Sequence, residues 1–272
     1  MQLAVVTASY VGRESDYSYS LSAWNAAERR VVNAYSGPAY LDRFRDLMGL
    51  IRSLGFTGVE IWNPHLPPSL NEETLAGARS VLRDLGLTPV AYYFALARPD
   101  FPRACAEQGF RMAKALGVNY LVGSFHPANR ALALELCRKH GVKMAIENHF
   151  EPEPGALIDL IGADTDCFGV AVDTGWWATQ RYDAVRAVRE LKAHLWHVHL
   201  KDVRAFGGHD SCAYGDGVVD VRGVVAELVR MGYNGCVAVE HEPEHYDPTD
   251  ELRRCLTDLR SWLGSPAEPS AP

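Results

Sequence analysis

Short apolar runs and amphipathic stretches alternate eight times along the 272-residue chain, and no other feature constrains the fold as strongly. The apolar runs cover 3–9, 58–63, 88–94, 119–125, 143–149, 168–174, 195–202 and 235–242. Helical patterns fill the gaps at 40–54, 71–85, 101–116, 129–140, 155–162, 183–194, 221–231 and 249–263. The first of these shows the rule. Leu41, Phe44, Leu47, Met48 and Ile51 recur at helical spacing, and Gly55 ends the run. Gly86, Gly117, Gly141, Gly232 and Gly264 stop other helices in the same way.

Alternation of strand and helix implies βαβ units and a parallel sheet. Strands covered on both faces read as continuous apolar runs, as these do. Eight units in about 250 residues predict an α/β fold of one domain, a closed (β/α)8 TIM barrel over 1–264. An open doubly wound sheet competes, but no G-x-G-x-x-G follows the first strand. Residues 10–39 read as a long, irregular first βα connection rich in Tyr and Ser, expected to act as a lid. The tail 265–272, SPAEPSAP, is expected to be disordered.

In a barrel of this kind the chemistry sits at the C-terminal ends of the strands. Here strand five ends in Glu147-Asn148-His149 and strand six in Asp173. Strand seven carries His197, His199, Lys201 and Asp202, and strand eight ends in Glu240-His241-Glu242. Side chains alternate along a strand, so His197, His199 and Lys201 share one face and Glu240 shares its face with Glu242. Glu147, Asp173, His199 and Glu240 then converge, one βα unit apart. Any one of these acids alone reads more simply as a helix cap or an ion-pair partner. Ligand types at four successive strand ends do not. Three converging carboxylates cannot all ionise without a compensating cation. An oxygen-rich set with one imidazole and no thiolate suits a single Mn²⁺, Mg²⁺, Co²⁺ or Zn²⁺ ion.

The net charge of -7, with no basic run, argues against a nucleic-acid partner. No apolar run reaches the ~18 residues of a membrane span. The N-terminus MQLAVVTASY does not resemble a signal peptide. Six cysteines without a C-x-x-C pair fit small buried hydrophobes in a reducing cytoplasm.

The strand ends resemble those of the sugar phosphate isomerase/epimerase family, the xylose isomerase-like TIM barrels. The likeness runs from GFTGVEIW at strand two to VAVEHE at strand eight. It includes VHLKDV at 198–203 and Gly215-Asp216-Gly217 before the seventh helix. It implies one divalent metal, most often Mn²⁺, held by Glu147, Asp173, His199 and Glu240. It also implies a carbohydrate or keto-sugar substrate, and permits a homo-oligomer or a partner subunit. One departure is Trp176, where many relatives carry a histidine three residues after the strand-six Asp. Relatives of the endonuclease IV type use that histidine in a three-zinc cluster, so its absence argues against DNA repair. No Gly-rich loop or Arg pair marks a phosphate site.

The family's shared step is removal of a proton next to a carbonyl, which a metal polarises. By resemblance to ketose epimerases, Glu147 and Glu240 would act as acid and base on opposite faces of the substrate. His149 shares strand parity with Glu147 and opens a second route. A Glu-x-His ending resembles the superfamily's lyases of the dehydratase or deglycosidase type, which act by elimination on a keto-sugar, a cyclitol, a 3-keto-glycoside or a C-glycoside. His149 is then either the base or a group that orients Glu147. A third reading is a non-catalytic sugar-binding barrel or the subunit of a larger enzyme. By their addresses, Lys201, Trp176, His126, Glu60 and Arg204 are expected to contact substrate. Trp177, His65, His209, Asp210 and Tyr214 are weaker candidates. For His241 a solvent-facing or loop-stabilising role is expected.

Overall fold

A computed structural model describes residues 1–18 and 23–264. Eight parallel strands close into a barrel in sequence order. They are Gln2–Val6, Gly58–Trp62, Thr88–Tyr93, Tyr120–Gly123, Lys143–Glu147, Phe168–Asp173, Leu195–Leu200 and Cys236–Val239. The helices expected between them lie at Tyr40–Ser53, Glu72–Asp84, Arg103–Leu116, Arg130–His140, Pro154–Ile161, Ala184–Glu190, Val221–Arg230 and Thr249–Trp262. Most strands stop sooner than their apolar runs, because the chain leaves the sheet where the polar strand-end residues begin.

Local chemistry fixes the helix ends. Asn71 accepts from Thr74 N–H, Asp183 from Arg186 and Asp220 from Gly223, each closing a first turn. Gly117 and Gly141 close helices in the left-handed conformation, with φ of 74° and 65°. Leu41 departs from its expected stripe: it is 37% exposed, and its side chain lies over Gly77 of the next helix. Tyr40 takes the buried place.

The expected irregular connection at 10–39 is more ordered than its sequence suggested. It contains the end of a 3-10 helix, Thr7–Ser15, and an α-helix, Trp24–Ala34, that buries Ala27 and Val31. The charged run Glu28-Arg29-Arg30 hides that helix's narrow apolar stripe. Residues 19–22 of the expected lid, and the expected tail 265–272, lie outside the described residues. Among the described residues no helix is long and apolar enough to cross a membrane. All six cysteines are unpaired.

Inside the barrel, Ala91, Val122, Ala145 and Ala171 from strands three to six form a small cluster of their own. Across from them Glu60, His197 and His199 are fully buried. The interior is thus apolar on one side and ionisable on the other.

Beyond strand seven, Asp202–Val203 pairs with Ser211–Cys212 as a short antiparallel ribbon. Asp202 anchors it, accepting from Val203 N–H at 2.9 Å, Gly215 at 3.0 Å, Gly217 at 3.2 Å and Val219 at 3.0 Å. Glycine is needed at 217, where a Cβ would lie 2.2 Å from Asp202 Oδ1, and at 215, where φ is 85°. Gly215-Asp216-Gly217 is therefore a loop scaffold. Asp202→Ala is expected to cost about 2–3 kcal/mol by leaving these donors unsatisfied, as urea denaturation would measure.

Candidate active site

Glu147, Asp173, His199 and Glu240 each bring one ligand atom to within 4.8 Å of the others, and all four are buried. Sheet register explains the convergence. Ala145 belongs to the interior cluster, so Glu147, two residues on, also points inward. His199 is in register with Asp173 on one side and Ala238 on the other, and Glu240 lies two residues beyond Ala238.

His199 sits at the centre. Its Nδ1 lies 2.6 Å from Glu147 Oε1 and 2.8 Å from Glu240 Oε2. Its Nε2 lies 2.9 Å from Glu60 Oε2. With the Nε2 proton given to Glu60, Nδ1 presents a lone pair between two carboxylates. A carboxylate behind the imidazole is the usual support of a metal-bound histidine. Without a cation the imidazole holds its proton: burial opposes the charge, but Glu60, Glu240 and Glu147 raise the pKa well above the ordinary value.

One carboxylate oxygen provides the test of fit. Asp173 Oδ1 accepts from Trp176 N–H at 2.8 Å and caps the helix Thr174–Thr179, so this acid is a cap as well as a candidate ligand. Asp173 Oδ2 is buried without a hydrogen bond, whereas Glu147 Oε2 has the His149 imidazole at 3.1 Å. Buried polar atoms rarely lack partners, and this one belongs to the four-residue group. Burial pushes the Asp173 carboxyl up to about 7 against the pull of Lys201, so its ionised form lacks positive charge. A divalent cation fits that deficit. Glu240 is held at about 2: burial disfavours the anion, but Lys201 and His199 outweigh it.

The neighbours of these residues hold them in place. Asn148 pairs with the Asp173 backbone, donating to its carbonyl at 3.0 Å and accepting from its N–H at 2.8 Å. Lys201 Nζ lies 2.9 Å from Glu240 Oε1 and 2.6 Å from Glu242 Oε2, with no exposure. It points inward, away from Asp202, and its stem passes Gly175, where a Cβ would lie 2.8 Å from it. Glu242, buried beside it, is pushed up to about 7 by burial.

A cavity of about 650 Å³ opens over the group, with Glu147, Glu240, Glu242, His149 and Trp176 in its lining. His149 Nε2 lies 3.1 Å from Glu147 Oε2 and 3.5 Å from the Tyr93 hydroxyl. Burial works against its charge, but Glu147 prevails and raises it to about 9.

Of the five residues expected to contact substrate, Trp176 lines the cavity and four do not. Glu60 lies two residues short of the end of strand two, one layer below the rim, and supports His199 and His197. Together these three form a second buried group of ligand types that shares His199 with the first. Lys201 lies behind Glu240 and Glu242. His126 turns back to accept from Ala128 N–H at 3.2 Å, capping a 3-10 turn. Arg204 is drawn outward by Asp210 at 3.1 Å and Tyr246 at 3.4 Å.

Among the weaker candidates His209 lines the cavity. His65 packs on Trp62 and contacts Thr7 Oγ1 at 3.1 Å. Trp177 is core, and Tyr214 bonds the Leu200 carbonyl at 2.9 Å. His241 stabilises loops: it is fully buried, 2.7 Å from Ser211 Oγ and 2.6 Å from Glu251 Oε2. Sequence reasoning missed Trp24, Glu28, Trp62, Tyr93 and Phe150 in the lining. Trp62 and Tyr93 end strands two and three, an address that marks them, whereas nothing in the sequence points Trp24 and Glu28 at the cavity.

Eight βα units with four converging ligand types at the ends of strands five to eight define a (β/α)8 barrel with a candidate metal centre. The chain belongs to the xylose isomerase-like TIM barrel family, whose model matches residues 48–261. An inosose dehydratase of Geobacillus kaustophilus (strain HTA426) is 27% identical over 138 residues, covering 41% of this chain and 43% of that protein. The chain thus spans less than half the length of that curated relative. A D-tagatose 3-epimerase-like protein superposes with a TM-score of 0.70 at 14% identity, covering 97% of this chain and 98% of that one. The probable 3-DHS dehydratase of Bacillus anthracis, involved in petrobactin synthesis, gives 0.67 at 15% identity, covering 95% and 98%. These structural likenesses are of fold alone. Epimerases and dehydratases both stand among the similar proteins.

Proposed function

We propose that the protein is a divalent-metal-dependent sugar isomerase or epimerase that moves a proton at the carbon next to a carbonyl. One observation carries this reading: Glu147 and Glu240 approach the same nitrogen of His199, at 2.6 and 2.8 Å, and both line the cavity. Two carboxylates therefore flank the floor on which a substrate would lie. A metal held by Glu147, Asp173, His199 and Glu240 would polarise the carbonyl and offset the negative charge that develops on it.

Glu147 takes the proton from carbon. The C–H electron pair becomes a C=C bond, and the carbonyl π pair moves onto oxygen. Glu240, ionised at the outset, takes a proton from solvent and delivers it to the other face, and Glu147 gives its proton to solvent, so that both carboxylates are restored. Return to the same carbon epimerises it; return to the former carbonyl carbon, with the neighbouring hydroxyl proton passing to the former carbonyl oxygen, interconverts ketose and aldose. Positioned acid–base groups of this kind contribute roughly 10²–10⁴ in rate. Lys201 and His199 keep Glu240 ionised between turnovers.

Mass spectrometry of keto-sugars incubated with the Mn²⁺-loaded protein in D2O tests this. The expected result is one deuterium at carbon with unchanged composition. A panel of keto-sugars without exchange would refute it.

The placement of His149 favours a second reading, elimination. Its Nε2 stands on the cavity wall, 3.1 Å from Glu147 Oε2; a cation held by Glu147 would weaken the pull that keeps His149 protonated, and the neutral imidazole would take the proton while a β-substituent leaves with its bonding pair. The same D2O experiment then shows loss of water or of an alcohol, and His149→Ala abolishes it. For an epimerase, His149→Ala is expected to lower turnover less than tenfold.

A further inference from the structure

We infer that His197 and Tyr120, neither of which lines the cavity, are positioning residues for the candidate metal ligand His199. The inference rests on the metal-site reading above and extends it two side chains deeper into the barrel.

Glu60 is the link. It is fully buried, and its Oε2 lies 2.9 Å from His199 Nε2 and 2.7 Å from His197 Nε2. Its Oε1 is buried without a hydrogen bond. Among the described residues, the two imidazoles are thus the only polar groups that anchor this carboxylate. The facing side of the interior offers no substitute, since Ala91, Val122, Ala145 and Ala171 carry no polar side-chain atom. Without His197 the carboxylate can turn about its terminal bond, and Oε2 no longer meets His199 from a fixed direction.

His197 is held in turn from beneath. Its Nδ1 lies 3.0 Å from the Tyr120 hydroxyl, and the two rings meet edge-on with centroids 5.7 Å apart. The Cys236 thiol stands beside the same imidazole, in register on strand eight. A carboxylate 2.7 Å away requires a proton on His197 Nε2, in the neutral ring and in the charged one alike. His197 and His199 share a face of strand seven and cross at 90°, with centroids 5.0 Å apart, so each ring limits the other's rotation. Tyr120 opens strand four, at the end of the barrel remote from the cavity. The contacts therefore run from Tyr120 through His197 and Glu60 to His199, whose Nδ1 faces Glu147 and Glu240. Partners that orient a metal-bound histidine from behind typically cost about 10–100-fold in metal affinity when removed.

Isothermal titration of the full chain with Mn²⁺, together with the visible spectrum of the Co²⁺-loaded protein, tests the inference. His197→Leu is expected to weaken Mn²⁺ binding about tenfold or more and to shift the Co²⁺ bands. His197→Gln, whose amide can still donate to Glu60, is expected to stay within about threefold of the parent with unshifted bands. Tyr120→Phe is expected to weaken binding about threefold. Circular dichroism checks that each variant folds, and Tyr120→Phe, a change at a half-buried residue, keeps the test decisive if His197→Leu does not. A parent that binds Mn²⁺, with His197→Leu and Tyr120→Phe matching its affinity and spectrum, overturns the inference and leaves the metal site standing. A lower melting temperature alone would then mark a purely structural role. His197→Gln as weak as His197→Leu overturns it too, as does a second Mn²⁺ per chain that His197→Leu removes, because the Glu60 group would then hold its own cation. A parent that binds no metal overturns the metal site, and the inference with it.

Discussion

Glu147→Gln is expected to lower turnover by roughly 10²–10⁴ and to weaken retention of Mn²⁺ in the same protein. The two losses go together because one carboxylate serves both ends. Its Oε1 lies 2.6 Å from His199 Nδ1, and its Oε2 lies 3.1 Å from His149 Nε2 on the cavity wall. An amide keeps the shape but not the charge, and its NH2 would face the cation. A thermal shift titration separates the effects from loss of fold. Metal that binds only the folded state stabilises it by about 2.7 kcal/mol at a hundredfold excess over Kd, which EDTA should reverse in the parent protein. In Glu147→Gln that increment should shrink, and the metal-free melting temperature should fall, because His149 and His199 lose a carboxylate that balances their charge. A parent protein whose melting temperature ignores Mn²⁺, Mg²⁺, Co²⁺ and Zn²⁺ alike would remove the metal-site reading.

The four candidate ligands were legible because a barrel converts chain position into spatial address. A covered strand is a continuous apolar run, and its polar last residue must fall at the rim. Glu147 and Asp173 needed only that rule, whereas His199 and Glu240 also needed parity. Expected contacts and cavity lining differ where address alone gives neither depth nor direction. Glu60 stands near the end of strand two but one layer deeper than the rim, against His199 at 2.9 Å. A register shift between Val59 and Glu60 adds a local irregularity that no spacing rule reveals. His126 and Arg204 stand beyond strand ends, where nearby loop partners decide their direction. The helix Trp24–Ala34 was illegible for another reason: its stability comes from tertiary burial of Ala27 and Val31, and its sequence is largely polar. Asn148 was visible but unassigned, since pairing with the Asp173 backbone depends on a neighbouring strand.

Lys201→Met is expected to destabilise the metal-free protein by about 3–5 kcal/mol, the usual consequence of deleting one partner from a buried ion cluster. Lys201 is fully buried and lies 2.6 Å from Glu242, 2.9 Å from Glu240 and 3.9 Å from Asp173. It supplies the cluster's permanent positive charge, since the histidines there can lose theirs. Methionine fills the channel beside Gly175 but leaves these acids to repel one another in low dielectric. For a domain of this size the melting temperature should fall by roughly 10 °C. Adding Glu242→Gln should recover part of the loss, because the charge left stranded by the first change is then gone. Adding Glu242→Gln to the parent chain should instead be nearly neutral or mildly destabilising. That sign change is a coupling energy, which a double-mutant cycle by urea denaturation isolates. If Lys201→Met melts within a degree or two of the parent, other groups balance these carboxylates and the lysine has no structural hold on Glu240. Saturating metal should narrow the Lys201→Met deficit, because a divalent cation between the same acids replaces much of the lost charge.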